Sequence, residues 1–343
     1  MTFNPVERLR EFARTRSDKP AISGRGETLS YSHFDQRANQ VAQGLTRLGV
    51  SRGDRVSYLG RNRPEFFEIA FGCAKIGAVL APLNWRLTAP EISALVVDAG
   101  SSVMFAEPGA EPTFAFSGDG HVLLIGSTYE GWRDKQSTAD PGLVTEPGDD
   151  FIQFYTSGTT GLPKGVIVRN KNMELLFRAG SRWRLDADSV VAVIMPLFHM
   201  GGSAWALVAL LSGAHCVMQS EFDPKDTLDM VESEKVTTIL LAPSMLQMMV
   251  AVPDAADRDY SQLQSVVYGS APISMPLLRS TMATFNAPLI QLFGLTETTG
   301  AIIQLDPEDH REELLSSIGR PYEWAEVQVQ VPVRKCVSNQ HIR

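Results

Sequence analysis

The chain has 343 residues, 44% hydrophobic and 20% charged, the composition of an ordinary globular protein with more than one small core. A formal charge of −8, from 31 Lys and Arg against 39 Asp and Glu, argues against a nucleic-acid surface. Three scattered cysteines, Cys73, Cys216 and Cys336, suit a reducing compartment and neither a disulfide framework nor a zinc site.

Residues 1–20 carry Glu7, Arg8, Arg10, Glu11, Arg14 and Arg16 and no apolar run, so no secretory leader and a cytoplasmic location are expected. Phe34, Ala38, Val41, Leu45 and Leu48 recur at helical spacing and predict a helix over 31–50. A strand at 55–59 follows, then a helix opened by Pro64, a strand at 78–82, a helix at 90–98 and a strand at 102–105; Cys73 falls on an apolar helix face as filler. Pro141, Gly142, Pro147 and Gly148 mark a boundary, giving an expected α/β subdomain over 1–150.

Alternation resumes with strands at 151–155, 190–195, 214–218, 237–241, 263–268 and 288–292, and helices at 203–212, 224–234, 243–251 and 274–284. Strands alternating with helices of this length predict parallel-rich sheets flanked by helices, with a second α/β subdomain over 151–300. From Asp188 to Glu221 His199 and His215 are the only titratable side chains apart from Cys216, a length that could span a membrane. Pro196, Gly201, Gly202 and Gly213 cut it into strand, loop and helix, so no transmembrane segment is expected. Residues 301–343 are expected to form part of an incomplete, barrel-like β subdomain with an atypical tail.

Polar, glycine-rich segments follow three of these strands, where ligands bind in parallel sheets. Thr156, Ser157, Gly158, Thr159, Thr160, Gly161 and Lys164 offer unhindered backbone N–H groups, hydroxyls and one mobile cation, a set suited to a polyphosphate. The spacing is not that of a Walker loop, because Lys164 lies three residues after Gly161 and Gly165 follows it. The plain alternative is a surface linker. Gly269, Ser270, Ala271 and Pro272 allow close backbone approach to a ligand. Phe293 and Gly294 offer a flat face with space beside it, as a purine needs. Beyond Leu295, Thr296 and Glu297 could hold a phosphate oxygen and Mg²⁺, or could simply cap a helix. His199 ends an apolar strand and could be a satisfied core histidine or a functional one.

In this order the segments resemble the adenylate-forming enzymes: acyl-CoA synthetases, firefly-type luciferases and the adenylation domains of peptide synthetases. Tyr155–Gly165 looks like that family's phosphate-loop signature, Phe293–Glu297 like its aromatic-Gly-x-Thr-Glu segment, and Ile318-Gly319-Arg320-Pro321 like the Gly-Arg-Pro that follows. Leu29-Ser30-Tyr31, Asn39, Gly53-Asp54-Arg55-Val56 and Pro82-Leu83-Asn84 also match, and the likeness covers about residues 5–330. It implies acyl-AMP formation from ATP, Mg²⁺ and a carboxylic acid, then thioester formation with coenzyme A.

The resemblance further implies that residues 156–164 hold the β- and γ-phosphates and that Ser270, Ala271, Pro272 and Phe293 flank adenine. Thr296 would contact the α-phosphate, Glu297 would bind Mg²⁺, and His199 would stand between acid and nucleotide, so that Lys164, Thr296, Glu297 and His199 form the catalytic set. Phe293 replaces the family's usual tyrosine. His199, Met200, Gly201, Trp205, Met245 and Gly269 are the expected acid-binding residues, and with no aspartate beside Phe198 an α-amino acid would be left unpaired. A fatty or other hydrophobic acid is therefore the leading expectation, the likeness being strongest to a fatty-acid–CoA ligase, with an aryl or cyclic acid as the alternative and a homo-oligomer left open. Residues 332–343 depart from the family's pattern, and its ribose-binding aspartate, hinge and C-terminal domain with the assisting lysine have no match here. The expectation is a large N-terminal domain that binds Mg-ATP and an acid, either as part of a ligase or as a catalytically impaired nucleotide- and acyl-binding module.

Overall fold

A computed structural model describes residues 3–110, 120–156 and 163–328. Ser157, Gly158, Thr159, Thr160 and Gly161, expected to hold phosphates, and the tail after 328 lie outside the described residues.

Helix α1 (Pro5–Thr15) begins at Asn4, whose side chain accepts from the backbone N–H groups of Val6 and Glu7, and Pro5 supplies the first helical φ. It buries Val6, Leu9 and Phe12. A hairpin, β1 (Pro20–Gly24) and β2 (Glu27–Ser30), turns at Arg25 and Gly26, both at positive φ as a type I′ turn requires. Then come α2 (Tyr31–Arg47), β3 (Arg55–Leu59), α3 (Pro64–Ala74), β4 (Val79–Leu83), α4 (Ala89–Ala99), β5 (Val103–Ala106), β6 (His121–Leu124) and α5 (Ser127–Arg133). The expected face of α2 is buried through Phe34, Ala38, Val41 and Leu45. Gly72 of α3 lies so close to Val41 that an added Cβ would sit 2.5 Å from its side chain, which sets the α2–α3 approach.

Strands β7 (Asp150–Thr156) and β8 (Lys164–Arg169) pair antiparallel, with Thr156 opposite Lys164. The chain continues through α6 (Asn170–Gly180), a single 3₁₀ turn at Ser181–Trp183, β9 (Val190–Val193), α7 (Met200–Ser212), β10 (His215–Met218), α8 (Pro224–Ser233) and β11 (Thr238–Leu241). It ends with α9 (Pro243–Val250), β12 (Ser265–Gly269), α10 (Met275–Phe285), β13 (Leu289–Leu295), β14 (Gly300–Leu305) and β15 (Arg320–Pro321).

Two mostly parallel sheets result, with helices packed on them. One has the order β6-β5-β3-β4-β7-β8 and the other β15-β14-β13-β12-β11-β9-β10-β1-β2. The interior strands β4, β5, β11 and β12 are buried along their whole length, as strands covered on both faces must be. The sheets do not divide at residue 150. The early hairpin β1–β2 joins the nine-stranded sheet through β10, and the later hairpin β7–β8 joins the six-stranded sheet through β4. Likewise β14 and β15 extend the nine-stranded sheet as antiparallel edge strands.

The uncharged stretch after Asp188 folds as β9, a loop, α7 and β10, and α7 is buried on nearly every face because it lies inside the protein. Among the described residues no helix is long and apolar enough to cross a membrane.

Two buried charges are compensated in place. Lys75 is fully buried between Asp35 at 2.8 Å and Asp140 at 2.7 Å. Glu68 is 0% exposed and takes Arg133 at 3.0 Å, Arg37 at 3.1 Å and the Tyr129 hydroxyl at 2.7 Å, clamping α2, α3 and α5 together. Removing Glu68 leaves Arg133 with only the exposed Asp134 carboxylate, Arg37 with only the exposed Glu27, and the buried Tyr129 hydroxyl without its acceptor. Glu68→Ala is expected to lower stability by about 3–5 kcal/mol in urea denaturation, and a loss under about 1 kcal/mol would contradict this role.

Candidate functional site

The carboxyl ends of the parallel strands converge on one cavity of about 560 Å³. Strand β7 contributes Thr156, the start of α7 contributes His199, Met200 and Gly201, and β12 contributes Gly269 and Ser270. Strand β13 supplies Gly294 and Leu295, the β13–β14 turn Thr296 and Glu297, and β14 Gly300 and Ala301. At the mouth the Thr156 hydroxyl donates to Glu297 Oε1 across 3.2 Å, linking the end of one sheet to the turn of the other.

Glycines set this geometry. A Cβ on Gly294 would meet the Gly300 carbonyl oxygen at 1.9 Å, because β14 folds back directly over that position. A Cβ on Gly269 would meet the Leu292 oxygen at 2.4 Å. The reversal uses Thr299 and Gly300 at positive φ, and the Thr298 hydroxyl lies 2.7 Å from the Gly300 carbonyl oxygen. Ser270 holds φ +66 without being glycine, a conformation that costs about 1–3 kcal/mol. Its hydroxyl is kept beside Gly201: a Cβ there would lie 3.5 Å from Ser270 Oγ.

The loop before α7 is held from the other sheet. The Asn62 side-chain amide donates to the Ile194 and Met195 carbonyls, each at 3.1 Å, and its oxygen accepts from Leu197 N–H at 3.0 Å. His199 follows, with its ring 4.4 Å from that of Phe198. Removal of water by the surrounding protein lowers the His199 pKa, and the positive charge of Arg86 pushes the same way.

Eleven of the expected residues meet here: Thr156, His199, Met200, Gly201, Trp205, Gly269, Ser270, Gly294, Leu295, Thr296 and Glu297 line the cavity. Others stand apart. Lys164 is exposed at the start of β8 and reaches the site only through its pairing with Thr156. Ala271 and Pro272 are exposed beyond the lining, and Phe293, 40% exposed, alternates along β13 with Leu292 and Gly294, which do line it. Met245 is not on this cavity: α9 packs into a separate core, and Met245 borders a smaller cavity of about 290 Å³ with Trp85, Arg86 and Phe222.

Leu176, Trp183, Ala204, Gly300 and Ala301 were not expected and do line the site. Residues 164–183 carried no element in the sequence reading, so Leu176 and Trp183 had no placement. The glycine after Thr298-Thr299 was the available signal for Gly300.

Among the described residues no group of three or more His, Cys, Asp or Glu could hold a metal by itself. Thr156, Thr296 and Glu297 do fit Mg²⁺ carried by phosphates, since that ion takes one or two carboxylates and completes its shell with phosphate and water.

An α/β fold of mostly parallel sheets with hydroxyls, a carboxylate and close-packed glycines at its strand ends has the form in which such sheets bind ligands. The chain belongs to the AMP-binding enzyme family, which matches residues 9–338. It is 34% identical over 323 residues to the fatty acid–acyl-carrier-protein ligase ScoC of Streptomyces coeruleorubidus, covering 88% of this chain and 60% of that one. It is 33% identical over 330 residues to a feruloyl-CoA synthase of Amycolatopsis, covering 96% and 65%. The chain thus spans less than two thirds of these relatives. The inhibitor-bound N-terminal domain of FACL13 from Mycobacterium tuberculosis shares the fold with a TM-score of 0.86 at 26% identity, over 93% of this chain and 82% of that one.

The histidines generate a pH prediction. His199, His215 and His310 are all lowered, by burial first, from the ordinary value of 6.5. The folded protein therefore binds fewer protons than the unfolded chain, and stability present above 6.5 is lost as the pH falls below it. Urea denaturation at about pH 7.5 and about pH 5.5 should show this loss, with a smaller loss in His215→Gln, whose ring is more enclosed than that of His199. An equal loss in the variant would mean that the His215 imidazole takes its proton as readily in the folded protein as in the unfolded chain.

Proposed function

We propose that this chain is the nucleotide- and acid-binding part of an ATP-dependent, AMP-forming acid–thiol ligase acting on a hydrophobic carboxylic acid. The observation that carries the reading is the Thr156–Glu297 contact at the mouth of a cavity otherwise walled mostly by apolar side chains. It sets phosphate- and metal-binding chemistry beside an apolar chamber. Family membership supports the same reading. The relatives are named for a fatty acid in one case and for ferulic acid in the other, which supports a hydrophobic acid and leaves its class open.

In the first half-reaction a carboxylate oxygen attacks the α-phosphorus of ATP, and the bond to pyrophosphate breaks. In the second a thiolate, that of coenzyme A or a carrier, attacks the acyl carbonyl carbon, and the bond to AMP breaks. Thr156, with Ser157, Gly158, Thr159, Thr160, Gly161 and Lys164, would hold the β- and γ-phosphates, and Thr296 the α-phosphate. Phe293, Ala271 and Pro272 would form an open shelf for adenine outside the cavity, beside Ser270. When bound through Glu297, Mg²⁺ supplies charge neutralisation on the phosphate oxygens. His199, its charged form disfavoured, would pack as a neutral imidazole between the acid and the nucleotide and leave the carboxylate's own charge available for attack.

No carboxylate other than Glu297 lines the cavity among the described residues, so an ammonium group on the acid would lose its water without gaining a partner. The test is hydroxylamine trapping of acyl-AMP with ATP, Mg²⁺ and a hydrophobic acid. Hydroxamate should form, and Glu297→Gln should weaken Mg-ATP binding and lower the rate by about 100-fold, the scale of losing one charge-stabilising group. Unchanged affinity and rate would remove Glu297 from the metal. ATP binding with no hydroxamate would reduce the chain to a binding module.

A further inference from the structure

The inner end of the cavity carries information that its mouth does not. His199, Ser270, Leu295 and Glu297 are exposed at the mouth, whereas Trp183 and Trp205, each 2% exposed, line the buried end. The two indoles stack on each other, with centroids 5.8 Å apart and planes 29° apart. Neither is free to turn. Trp205 Nε1–H donates to the Ala192 carbonyl at 3.0 Å, and Trp183 Nε1–H donates to the Tyr322 hydroxyl at 2.9 Å.

The walls leading to this floor are small or apolar: Leu176, Ala204, Leu240 and Ala301, with Gly300 between strand and helix. A Cβ on Gly300 would lie 3.2 Å from Leu176, so the glycine lets β14 pack close against α6 beside the cavity. A chamber walled by small side chains and closed by fixed aromatic rings suits a flat, compact acid. A long alkyl chain needs depth, and two pinned indoles supply none. Nothing charged or hydrogen-bonding is offered at the floor, since both indole N–H groups are already used.

We infer that the acid taken by this site is a planar aromatic carboxylic acid of one or two rings, joined to its carboxylate by a short linker, with the stacked Trp183–Trp205 pair as the stop for the ring. The inference rests on the functional reading above. Aromatic rings meet aromatic floors with offset-stacked or edge geometry that an alkyl chain cannot reproduce.

The test is calorimetric titration of the protein with an ATP analogue that cannot be cleaved between the α- and β-phosphates. It is followed by titration of the loaded protein with phenylpropenoic, indole-3-acetic, octanoic and hexadecanoic acids. The analogue should bind, and the two aromatic acids should then bind at least about tenfold more tightly than hexadecanoic acid. Trp205→Leu, which opens the floor, should shrink this preference by admitting the longer chain; a cooperative melt establishes that the variant folds. Ala301→Leu, on a strand near the edge of the sheet, should weaken the aromatic acids. If the analogue itself fails to bind, the functional reading falls and this inference with it. If the analogue binds and hexadecanoic acid binds as tightly as the aromatic acids, the inference alone is overturned. The wild-type comparison decides the matter should either variant not fold.

Discussion

Thr156 ends a strand of the six-stranded sheet and donates to Glu297 on a turn of the nine-stranded sheet, and everything placed in the cavity depends on those two strand ends meeting. The chain crosses between the two sheets twice, after β2 and after β8. The β1–β2 hairpin from the early chain completes the later sheet, and the β7–β8 hairpin completes the earlier one. The six-stranded sheet is the continuous run β3–β8, inserted between the β1–β2 hairpin and the later strands β9–β15 that together make the other sheet. Asn62 adds a second tie by holding the loop that carries His199 with three hydrogen bonds from the opposite half. A ligand spanning this junction would touch both sheets at once.

The cavity is kept open at a conformational cost. Ser270 is held at positive φ, and Gly269 and Gly294 sit where any side chain would collide with a neighbouring carbonyl. Backbone is thus brought close to the site where phosphate or acyl oxygens would lie, and side chains are kept out. The polar groups gather at the mouth and the aromatic groups at the floor. That separation of chemistry lets one cavity serve a charged nucleotide and an apolar acid.

Much of this was legible in the sequence, for physical reasons. Helix α2 was readable because one face is buried along its length, and β3, β4, β9, β11 and β12 because buried parallel strands are continuous apolar runs. The β1–β2 hairpin was missed because its turn is Arg25-Gly26 and lacks the usual Asn-Gly signal. Strand β8 and helix α6 were missed because β8 is largely exposed and α6 follows it without a break. The Pro- and Gly-rich stretch before residue 150 was read as a boundary, yet Asp140 within it anchors buried Lys75 and Asp149 pairs with Arg52. Of the site, the polar strand ends were visible in the sequence. Of the floor, Trp205 was expected and Trp183 was not, since Trp183 reaches it from a 3₁₀ turn and pairs with Trp205 only through tertiary packing.

The most direct measurement of the central claim is hydrogen exchange with and without AMP plus a bound acid. The account predicts simultaneous protection of residues 152–156 in one sheet and residues 266–271 and 292–301 in the other, because one ligand would bridge both. Protection confined to a single sheet would contradict a site built at the junction.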